Sequence, residues 1–511
     1  MSNIIGIDLG TTFSAIASLD AVGKPEIVQN LDGSRITPSV VFFPPDEPGK
    51  VYVGEVARDL LVTQPSRGIE EIKRHMSDGQ FQKKFDGKTW SPEEMSSLIL
   101  KKLIEDAEEI TGKIDSAVIT VPANFSEDAR AATMAAGELA GITVSHIINE
   151  PTAAALYFAS LQPVTGTMMI YDLGGGTFDA TIARVHDQNV ECIASQGDAV
   201  LGGKDFDRAV LDLIRKSYMD EKGVDIVDEE NTEEQWLMEA EKIKCQLSQK
   251  DSVKRPLKGP AGMMPFSLSR TEFVSNDKVA NMISRTEMLV DTVLDEASMT
   301  PADIDAVLLV GGSTRIPAIQ DSITKMFGKP PIKVVNPDEA VAMGAAIYAG
   351  INAPRESLSV AQQKEMDKVE LQEVASHYFG TISVTTGPSG YPEEKNNTII
   401  KKNAVIPCSA TQTYFTVNEG QEVIDCRVTQ SNAEEFDPQF VKVVWEGEME
   451  LPPGRPEGMP VEVTYSYDKN NQMHVLFKDV DSGKTLEADI HPGETEKIQS
   501  LKTQIQTIIV E

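Results

Sequence analysis

The feature that most constrains the fold of this chain is an internal repeat. The segment Ile5-Gly-Ile-Asp-Leu-Gly-Thr-Thr-Phe returns as Ile170-Tyr-Asp-Leu-Gly-Gly-Gly-Thr-Phe, with the two aspartates 164 residues apart. In both copies an apolar run ends in an aspartate, which is followed by a loop of glycine and threonine. Because self-similarity at a fixed spacing is the mark of a duplicated structural unit, the repeat predicts two lobes of one design.

Strand-like and helical patterns alternate around the repeat. Short runs rich in Ile and Val predict strands at 4–7, 117–121, 168–171 and 306–310, and apolar residues at helical spacing predict helices at 92–110 and 280–297. This alternation is typical of an α/β fold. After Pro354 the chain becomes polar, and β-branched and aromatic runs at 411–417, 422–430, 461–467 and 472–478 then predict an antiparallel sandwich. Apolar residues at 498, 501, 505 and 508 predict a final amphipathic helix.

Charge and cysteine content exclude several classes of function. The 511 residues carry 79 acidic and 47 basic side chains, a net charge of −32, which argues against a nucleic-acid-binding surface. The four cysteines form no C-x-x-C pair, so neither a zinc cluster nor a disulfide scaffold is expected, and a reducing cytoplasm is the predicted location. No targeting segment is recognised at the N-terminus, and no apolar run approaches the length of a membrane span.

The repeated loops predict a phosphate-binding site. Glycines let backbone N–H groups approach phosphate oxygens, and the hydroxyls add hydrogen bonds. For one loop alone a tight turn is an equal alternative, but Leu201-Gly-Gly-Lys and Gly311-Gly-Ser-Thr-Arg provide two further loops of this kind. Asp8 and Asp172 would repel phosphate directly, so both are expected to hold Mg²⁺ through its bound waters.

Six motifs together carry a resemblance to a known family. They are Ile7-Asp-Leu-Gly-Thr-Thr-Phe-Ser, Ile119-Thr-Val-Pro-Ala-Asn-Phe, Ile148-Asn-Glu-Pro-Thr-Ala-Ala-Ala-Leu, Tyr171-Asp-Leu-Gly-Gly-Gly-Thr-Phe-Asp, Leu201-Gly-Gly-Lys-Asp-Phe-Asp and Val310-Gly-Gly-Ser-Thr-Arg-Ile-Pro. The chain resembles the DnaK, or seventy-kilodalton heat-shock, chaperones from residue 4 to about 350, and less strongly over 369–490.

The resemblance implies an α/β actin-like ATPase of two RNase H-like lobes, followed by an all-β antiparallel sandwich. The expected domains are an ATPase at 1–355, a linker at 356–374, a peptide-binding sandwich at 375–492 and a short helix at 493–511. The helical lid of the family would need about 100 residues beyond the sandwich, so it is expected to be absent.

The resemblance also assigns the nucleotide site residue by residue. Catalytic roles are expected of Lys73, Glu150, Asp179, Asp8, Asp172 and Thr177, with Asp8 and Asp172 binding Mg²⁺ through water. Contacts to ATP are expected from Gly10, Thr11, Thr12, Phe13, Gly174, Gly175, Gly176, Thr177, Gly202, Gly203, Glu241, Lys244, Ser248, Gly311, Gly312, Ser313, Arg315 and Asp338. Without the motif, Lys73 would be read as a surface lysine, and the helix face of Glu241, Lys244 and Ser248 as a solvated stripe.

Peptide binding and its control are assigned in the same way. The peptide groove is expected at Tyr414, Phe415, Ile424, Cys426 and Val428, although alternating apolar residues in a sandwich are more often core. Coupling between nucleotide and peptide is expected to pass through Pro122, Arg130, Val369 and Leu371.

Several positions depart from the family pattern. Glutamate and glutamine interrupt the linker Val369-Glu-Leu-Gln-Glu, and Cys245 replaces a basic residue near the adenine site. His146 and Glu373 replace residues associated with the J-domain co-chaperone and the linker contact, which places cooperation with a J-protein in doubt.

The leading prediction is an ATP-dependent chaperone with a slow Mg²⁺-dependent ATPase. It would bind extended apolar segments of unfolded proteins as a monomer, with a J-domain co-chaperone and a nucleotide exchange factor as partners. The alternatives are an ATP-binding regulator or scaffold with one dedicated partner, and an actin-fold small-molecule kinase.

Overall fold

The chain folds into two compact units in a computed structural model that describes residues 4–161, 164–228, 232–333, 336–386, 391–468, 473–490 and 496–511. Unit 1 comprises the residues up to 123 together with 133–371 and 498–511. Unit 2 comprises 124–132 and 372–497. The division between Leu371 and Gln372 falls inside the predicted linker.

The first half of unit 1 contains eleven described strands and four helices. The strands are β1 (Ile4–Asp8), β2 (Phe13–Leu19), β3 (Pro25–Val28), β4 (Thr37–Pro38), β5 (Val41–Phe42), β6 (Lys50–Val53), β7 (Gly68–Ile69), β8 (Lys83–Phe85), β9 (Lys88–Trp90), β10 (Ser116–Val121) and β11 (Thr143–Asn149). The helices are α1 (Glu55–Thr63), α2 (Pro92–Thr111), α3 (Glu127–Ala140), which begins in unit 2, and α4 (Glu150–Leu161).

The second half of unit 1 has seven described strands and seven helices. The strands are β12 (Val164–Leu173), β13 (Phe178–Asp187), β14 (Asn189–Asp198), β15 (Ser252–Gly259), β16 (Gly262–Ser269), β17 (Ala306–Val310) and β18 (Ile332–Lys333). The helices are α5 (Gly203–Lys222), α6 (Glu233–Gln249), α7 (Arg270–Val274), α8 (Asp277–Glu296), α9 (Pro317–Phe327), α10 (Ala340–Asn352) and α11 (Val360–Met366).

The sheets of the two halves have the same topology. One has the order β11-β10-β1-β2-β3, and the other has the order β18-β17-β12-β13-β14. In each, the repeat strand (β1 or β12) opens an antiparallel meander and pairs in parallel with a later strand, β10 or β17. We refer to the two halves as lobe 1 and lobe 2. The duplicated design predicted from the internal repeat is therefore present in the strand order.

Two apolar helices meet within the core of unit 1. Helix α4, with Pro151-Thr-Ala-Ala-Ala-Leu, and helix α10, with Ala345-Ala-Ile, belong to one buried cluster. A Cβ added at Gly344 of α10 would lie 1.7 Å from the carbonyl oxygen of Ala153 in α4. Because only glycine permits so close an approach, this contact fixes α4, which begins at Glu150.

Much of the predicted linker is folded into unit 1. Ser359 caps α11 in a capping box with Gln362, which is the local reason why this polar stretch becomes a helix. The Gln362 amide also donates to the carbonyl of Asp20 at 2.9 Å. Val369 is buried and Leu371 partly buried against the cluster that contains α4 and α10.

Unit 2 is an antiparallel sandwich, as the sequence predicts. Its strands are β19 (Leu371–Val374), β20 (Tyr378–Thr386), β21 (Pro392–Ile400), β22 (Val405–Ile406), β23 (Cys408–Phe415), β24 (Val423–Ser431), β25 (Lys442–Glu450), β26 (Pro460–Tyr467), β27 (Met473–Asp479) and β28 (Thr485–Asp489). The two sheets have the orders β21-β20-β24-β25 and β23-β26-β27-β28. The runs predicted at 461–467 and 472–478 form the hairpin β26–β27, and most of its connection, at 469–472, lies outside the described residues.

The chain ends with helix α12 (Glu496–Gln506) and strand β29 (Ile509–Val510). No helix among the described residues has both the length and the apolar character that crossing a membrane requires.

Candidate nucleotide site

Four glycine loops of unit 1 converge around one cleft. A Cβ added to Gly175 would lie 1.9 Å from Thr12 Oγ1, and one added to Gly203 would lie 2.4 Å from Ser313 Oγ. Backbone hydrogen bonds fix the same arrangement, since the amide of Gly203 donates to the carbonyl of Gly174 at 2.9 Å. The loops after β1, β12 and β17 and the start of α5 therefore touch one another because glycines leave room for the side chains of Thr12 and Ser313.

The cleft has a volume of about 960 Å³ and is lined by most of the predicted residues. Those lining it are Asp8, Gly10, Thr11, Thr12, Phe13, Lys73, Glu150, Asp172, Gly174, Gly175, Thr177, Gly203, Glu241, Lys244, Ser248, Gly311, Gly312, Ser313, Arg315 and Asp338. Gly176 and Gly202 do not line it, but a Cβ on Gly202 would lie 2.5 Å from the Gly176 amide nitrogen. Asp179 is buried on β13, where it pairs with Asp172 across the sheet, and does not line the cleft.

An excess of buried carboxylates marks one end of the cleft. Burial, followed by the charge of Glu150, raises the pKa of Asp8 to about 7, while Lys73 opposes the shift. The pKa of Asp172 is also well above its usual range, mainly through burial and then through Glu150 and Asp8. The hydroxyl of Thr120, on β10, donates to Asp8 Oδ1 at 3.1 Å. This end of the cleft would thus be stabilised by added positive charge.

Lys73 lies within this acidic region. It stands in a 3₁₀ turn (Ile72–His75), its side chain is 6% exposed, and it forms an ion pair with Glu150. Glu71, which precedes this turn, has a left-handed backbone with φ of 58°. Its carboxylate pairs with Arg74 at 2.9 Å and with Arg208 at 2.7 Å, which holds this unusual conformation in place.

At the opposite end, α6 presents a polar face to the cleft. Lys244 Nζ donates to the Gly203 carbonyl at 3.0 Å and pairs with Asp207 at 2.8 Å. Burial, opposed by Lys244, raises the pKa of Asp207 to about 6. Cys245 also lines the cleft, and burial raises the pKa of its thiol.

Sequence reasoning missed several charged residues of this site. Asp207 belongs to the motif Leu201-Gly-Gly-Lys-Asp-Phe-Asp, and its place three residues after Lys204 on a helix was an available signal. Arg58, on α1 of lobe 1, pairs with Glu241 of lobe 2 at 2.8 Å and thereby bridges the cleft. By contrast, Arg315 and Asp338 were both predicted, and they pair with each other at 2.7 Å within lobe 2. No spacing in the sequence indicates the Arg58 pair, because its partners are 183 residues apart.

A buried polar cluster lies within unit 2. The Arg130 side chain, 1% exposed, contacts Ser376 Oγ at 3.1 Å and the Phe125 carbonyl at 3.3 Å. The hydroxyl of Tyr467 donates to Glu127 Oε1 at 3.1 Å. Burial, followed by the charge of Arg130, lowers the pKa of His377 to about 3, so this imidazole is neutral at physiological pH.

The other predicted residues are distributed over both units. Pro122 is buried in unit 1, directly after β10, and His146, on β11, packs edge-on against Tyr348. In unit 2, Phe415 is 60% exposed, while Tyr414 and Ile424 are partly buried. Cys426 and Val428, also predicted to line the groove, are buried in the core of the sandwich at 1% and 0% exposed. Both side chains therefore lie where core residues of a sandwich lie, which is the alternative to a peptide-binding role.

Comparison with known proteins identifies the family. The chain matches the family model described as Hsp70 protein over residues 4–510. It is 38% identical over 493 residues to a protein named chaperone protein DnaK from Thermosipho melanesiensis, an alignment that covers 94% of this chain and 79% of that protein. The fold and site define an actin-like ATPase joined to a β-sandwich substrate-binding domain. The chain belongs to the Hsp70 family, and it is an ATP-dependent molecular chaperone that binds nucleotide and hydrolyses ATP.

As a family, Hsp70 proteins bind unfolded peptide substrates and work with co-chaperones, and this general description holds for the chain. The alternatives of a scaffold or a small-molecule kinase gain no support.

Proposed function

We propose that the cleft of unit 1 hydrolyses ATP with Mg²⁺ and that the state of the nucleotide sets the affinity of unit 2 for extended apolar peptides. The observation that carries this proposal is the convergence of four glycine loops around Asp8, Asp172 and Lys73. Exposed amides of glycine loops suit phosphates, and a lysine beside carboxylates suits a site for phosphoryl transfer.

The acidic end of the cleft fits a hard divalent cation. Asp8 and Asp172 are buried carboxylates with raised pKa values, so that a cation would favour their ionised forms. No group of three or more His, Cys, Asp or Glu side chains among the described residues is arranged to bind a metal directly. We therefore assign Asp8 and Asp172 to Mg²⁺ through its bound waters, the mode in which this ion usually keeps several of them. Bound Mg²⁺ would neutralise charge on the phosphates.

Different residues of the chain would carry out hydrolysis, bind the phosphates and hold the adenosine. Lys73 would stabilise negative charge on the transferring phosphoryl group, and Glu150 would hold the lysine in place and help to orient the attacking water. The amides and hydroxyls of residues 10–12 and 174–177 would bind the phosphates. Glu241, Lys244, Ser248 and Arg315 would hold the adenosine. Asp179, which is buried away from the cleft, would act on Asp172 through the sheet rather than on the nucleotide.

We propose that coupling runs along β10. Thr120 donates to Asp8, and the same strand leads through Pro122 to Glu127 and Arg130, which belong to unit 2. A change at Asp8 on hydrolysis would thus reach unit 2 through a short covalent path. Val369 and Leu371, which pack on the core of unit 1, would provide a second path through the linker.

The peptide groove is assigned to Phe415, Tyr414 and Ile424. Phe415 ends β23 and is 60% exposed, so its ring is accessible to a bound peptide. Cys426 and Val428 would support the groove from the core beneath it.

The test is a titration of a fluorescent, extended apolar peptide with the full chain in ATP and in ADP. We expect weaker binding in ATP than in ADP, and equal affinities would contradict the proposal. Phe415→Ala should reduce affinity by about 10-fold, as expected for loss of one buried aromatic contact. Phe440→Ala is the matched control, because Phe440 is 69% exposed on a 3₁₀ turn outside the assigned groove.

The remaining assignments concern partners and location. We propose that the chain acts as a cytoplasmic monomer with a nucleotide exchange factor, and that His146 and Glu373 alter its contact with a J-domain co-chaperone.

A further inference from the structure

The C-terminal segment, defined here as residues 498–511, is a structural part of unit 1. The sequence alone predicts only a short amphipathic helix in this part of the chain. In the structure, Ile505 of α12 is fully buried and Val510 of β29 is 9% exposed. The apolar face of the segment is therefore covered by lobe 1 of the same chain.

Main-chain pairing fixes the segment to lobe 1. Strand β29 pairs in parallel with β6, with Ile509 opposite Lys50. The amide of Ile509 donates to the Gly49 carbonyl at 3.0 Å, and the amide of Val53 donates to the Glu511 carbonyl at 2.7 Å. The segment thus completes a sheet by strand addition, a mode of binding in which backbone hydrogen bonds contribute much of the affinity.

A buried lysine binds the end of α12. Lys101, on α2, is 8% exposed, and its ammonium donates to the carbonyls of Ile505 at 3.3 Å, Gln506 at 3.2 Å and Ile508 at 2.6 Å. These carbonyls belong to the last turn of the helix and the residues after it, where positive charge is favoured. Without the segment, Lys101 would lose these three acceptors and would keep Glu105, at 3.7 Å, as its ion-pair partner.

The pairing of β29 with β6 and the contacts of Lys101 with the end of α12 are both connected to the turn that carries Lys73. The sheet order is β29-β6-β5-β7, and β7 ends only four residues before Lys73. On the other side, Ser96 of α2 contacts Met76 Sδ at 3.4 Å, and the Met76 amide closes the 3₁₀ turn on the Lys73 carbonyl. The segment therefore supports the catalytic turn through one sheet and one helix.

From this geometry we infer that the C-terminal segment is a built-in strand ligand of lobe 1 that positions Lys73 and thereby sets the rate of ATP hydrolysis. The inference rests on the proposed role of Lys73. No residue of the segment lines the nucleotide cleft, so its members are positioning residues.

The first test uses two substitutions at one position of the full chain. Ile509→Pro removes the N–H that bonds to Gly49, whereas Ile509→Ala keeps it and trims a side chain that is 61% exposed. We expect the proline variant to lower kcat by about 10-fold with little change in KM for ATP, since displacement of a positioned group by about 1 Å can cost up to about 100-fold. The alanine variant should match the wild type.

The second test separates positioning from folding. A chain ending at residue 497 should show the same loss of kcat, and a synthetic peptide of residues 498–511 added in trans should restore it saturably. The same peptide with Ile509→Pro should not. In the full chain, Lys101→Met should lower kcat, whereas Lys102→Met, which alters the neighbouring lysine paired with Asp106, should not.

Unchanged kcat in the Ile509→Pro and Lys101→Met variants would overturn the inference, and so would a parallel rise in KM or a failure of the peptide to rescue. None of these results would contradict the proposed function. That proposal fails if the wild-type chain shows no Lys73-dependent hydrolysis, or if its affinity for an apolar peptide is the same in ATP and in ADP.

Discussion

Replacing Asp8 with asparagine should stabilise the nucleotide-free protein while abolishing its ATPase activity. Asp8 is buried beside Glu150 with its pKa raised to about 7 from an ordinary value of 3.8. Asparagine has nearly the same shape, carries no charge and can still accept the hydrogen bond from Thr120. The substitution therefore removes an unfavourable buried charge with little change in packing.

The magnitude follows from linkage between protonation and folding. An acid whose pKa is raised by folding destabilises the native state increasingly as pH rises from its unfolded pKa to its folded pKa. Above about pH 7 the cost is about 4 kcal/mol, since one pKa unit corresponds to about 1.4 kcal/mol. At pH 5 it is about 2 kcal/mol or less, and it vanishes at pH values well below 3.8. The stabilisation by asparagine should therefore grow between pH 4 and pH 7 and then level off.

The assay is thermal denaturation of both proteins without nucleotide or Mg²⁺ at pH 5, 6 and 8. We expect the melting temperature of Asp8→Asn to exceed that of the wild type most at pH 8. Asp220→Asn, which alters an exposed aspartate on α5, is the control and should change little at any pH. A variant that is less stable at pH 8, or a difference that does not depend on pH, would refute the electrostatic reasoning.

Two further predictions concern the contacts that hold the lobes together. Arg58→Ala should speed ADP release about 5-fold, because loss of the pair with Glu241 across the cleft removes about 1 kcal/mol, whereas Arg215→Ala, whose pairs lie within lobe 2, should not. Stopped-flow release of a fluorescent ADP analogue measures this, and equal rates would contradict it. Gly344→Ala should destabilise unit 1 by about 1–3 kcal/mol or more, because the new Cβ would clash with Ala153. An unchanged melting temperature would show that the helices can separate at little cost.

The fold of unit 1 was largely predictable because its signals are local or repeated. Asp8 and Asp172 of the duplicated segments lie at the ends of β1 and β12. These two strands belong to sheets with the same strand order. The glycines and hydroxyl side chains of the loops were enough to predict a phosphate-binding site. Long apolar helices such as α2 and α8 lie within a few residues of their predicted bounds.

Contacts made through the backbone or between distant side chains were not predictable. Strand β29 joins β6 by main-chain hydrogen bonds, which leave no pattern in the side chains. Arg58 and Glu241 meet only because the lobes close around the cleft. Cys426 and Val428 point inward, and alternation alone does not say which face of a strand is the core.

The most direct test of the central claim is the rate of ATP hydrolysis with and without an extended apolar peptide. We expect the peptide to accelerate single-turnover hydrolysis by the full chain, and Lys73→Met to abolish hydrolysis in both conditions. A rate that is indifferent to peptide, or one that survives in Lys73→Met, would contradict it.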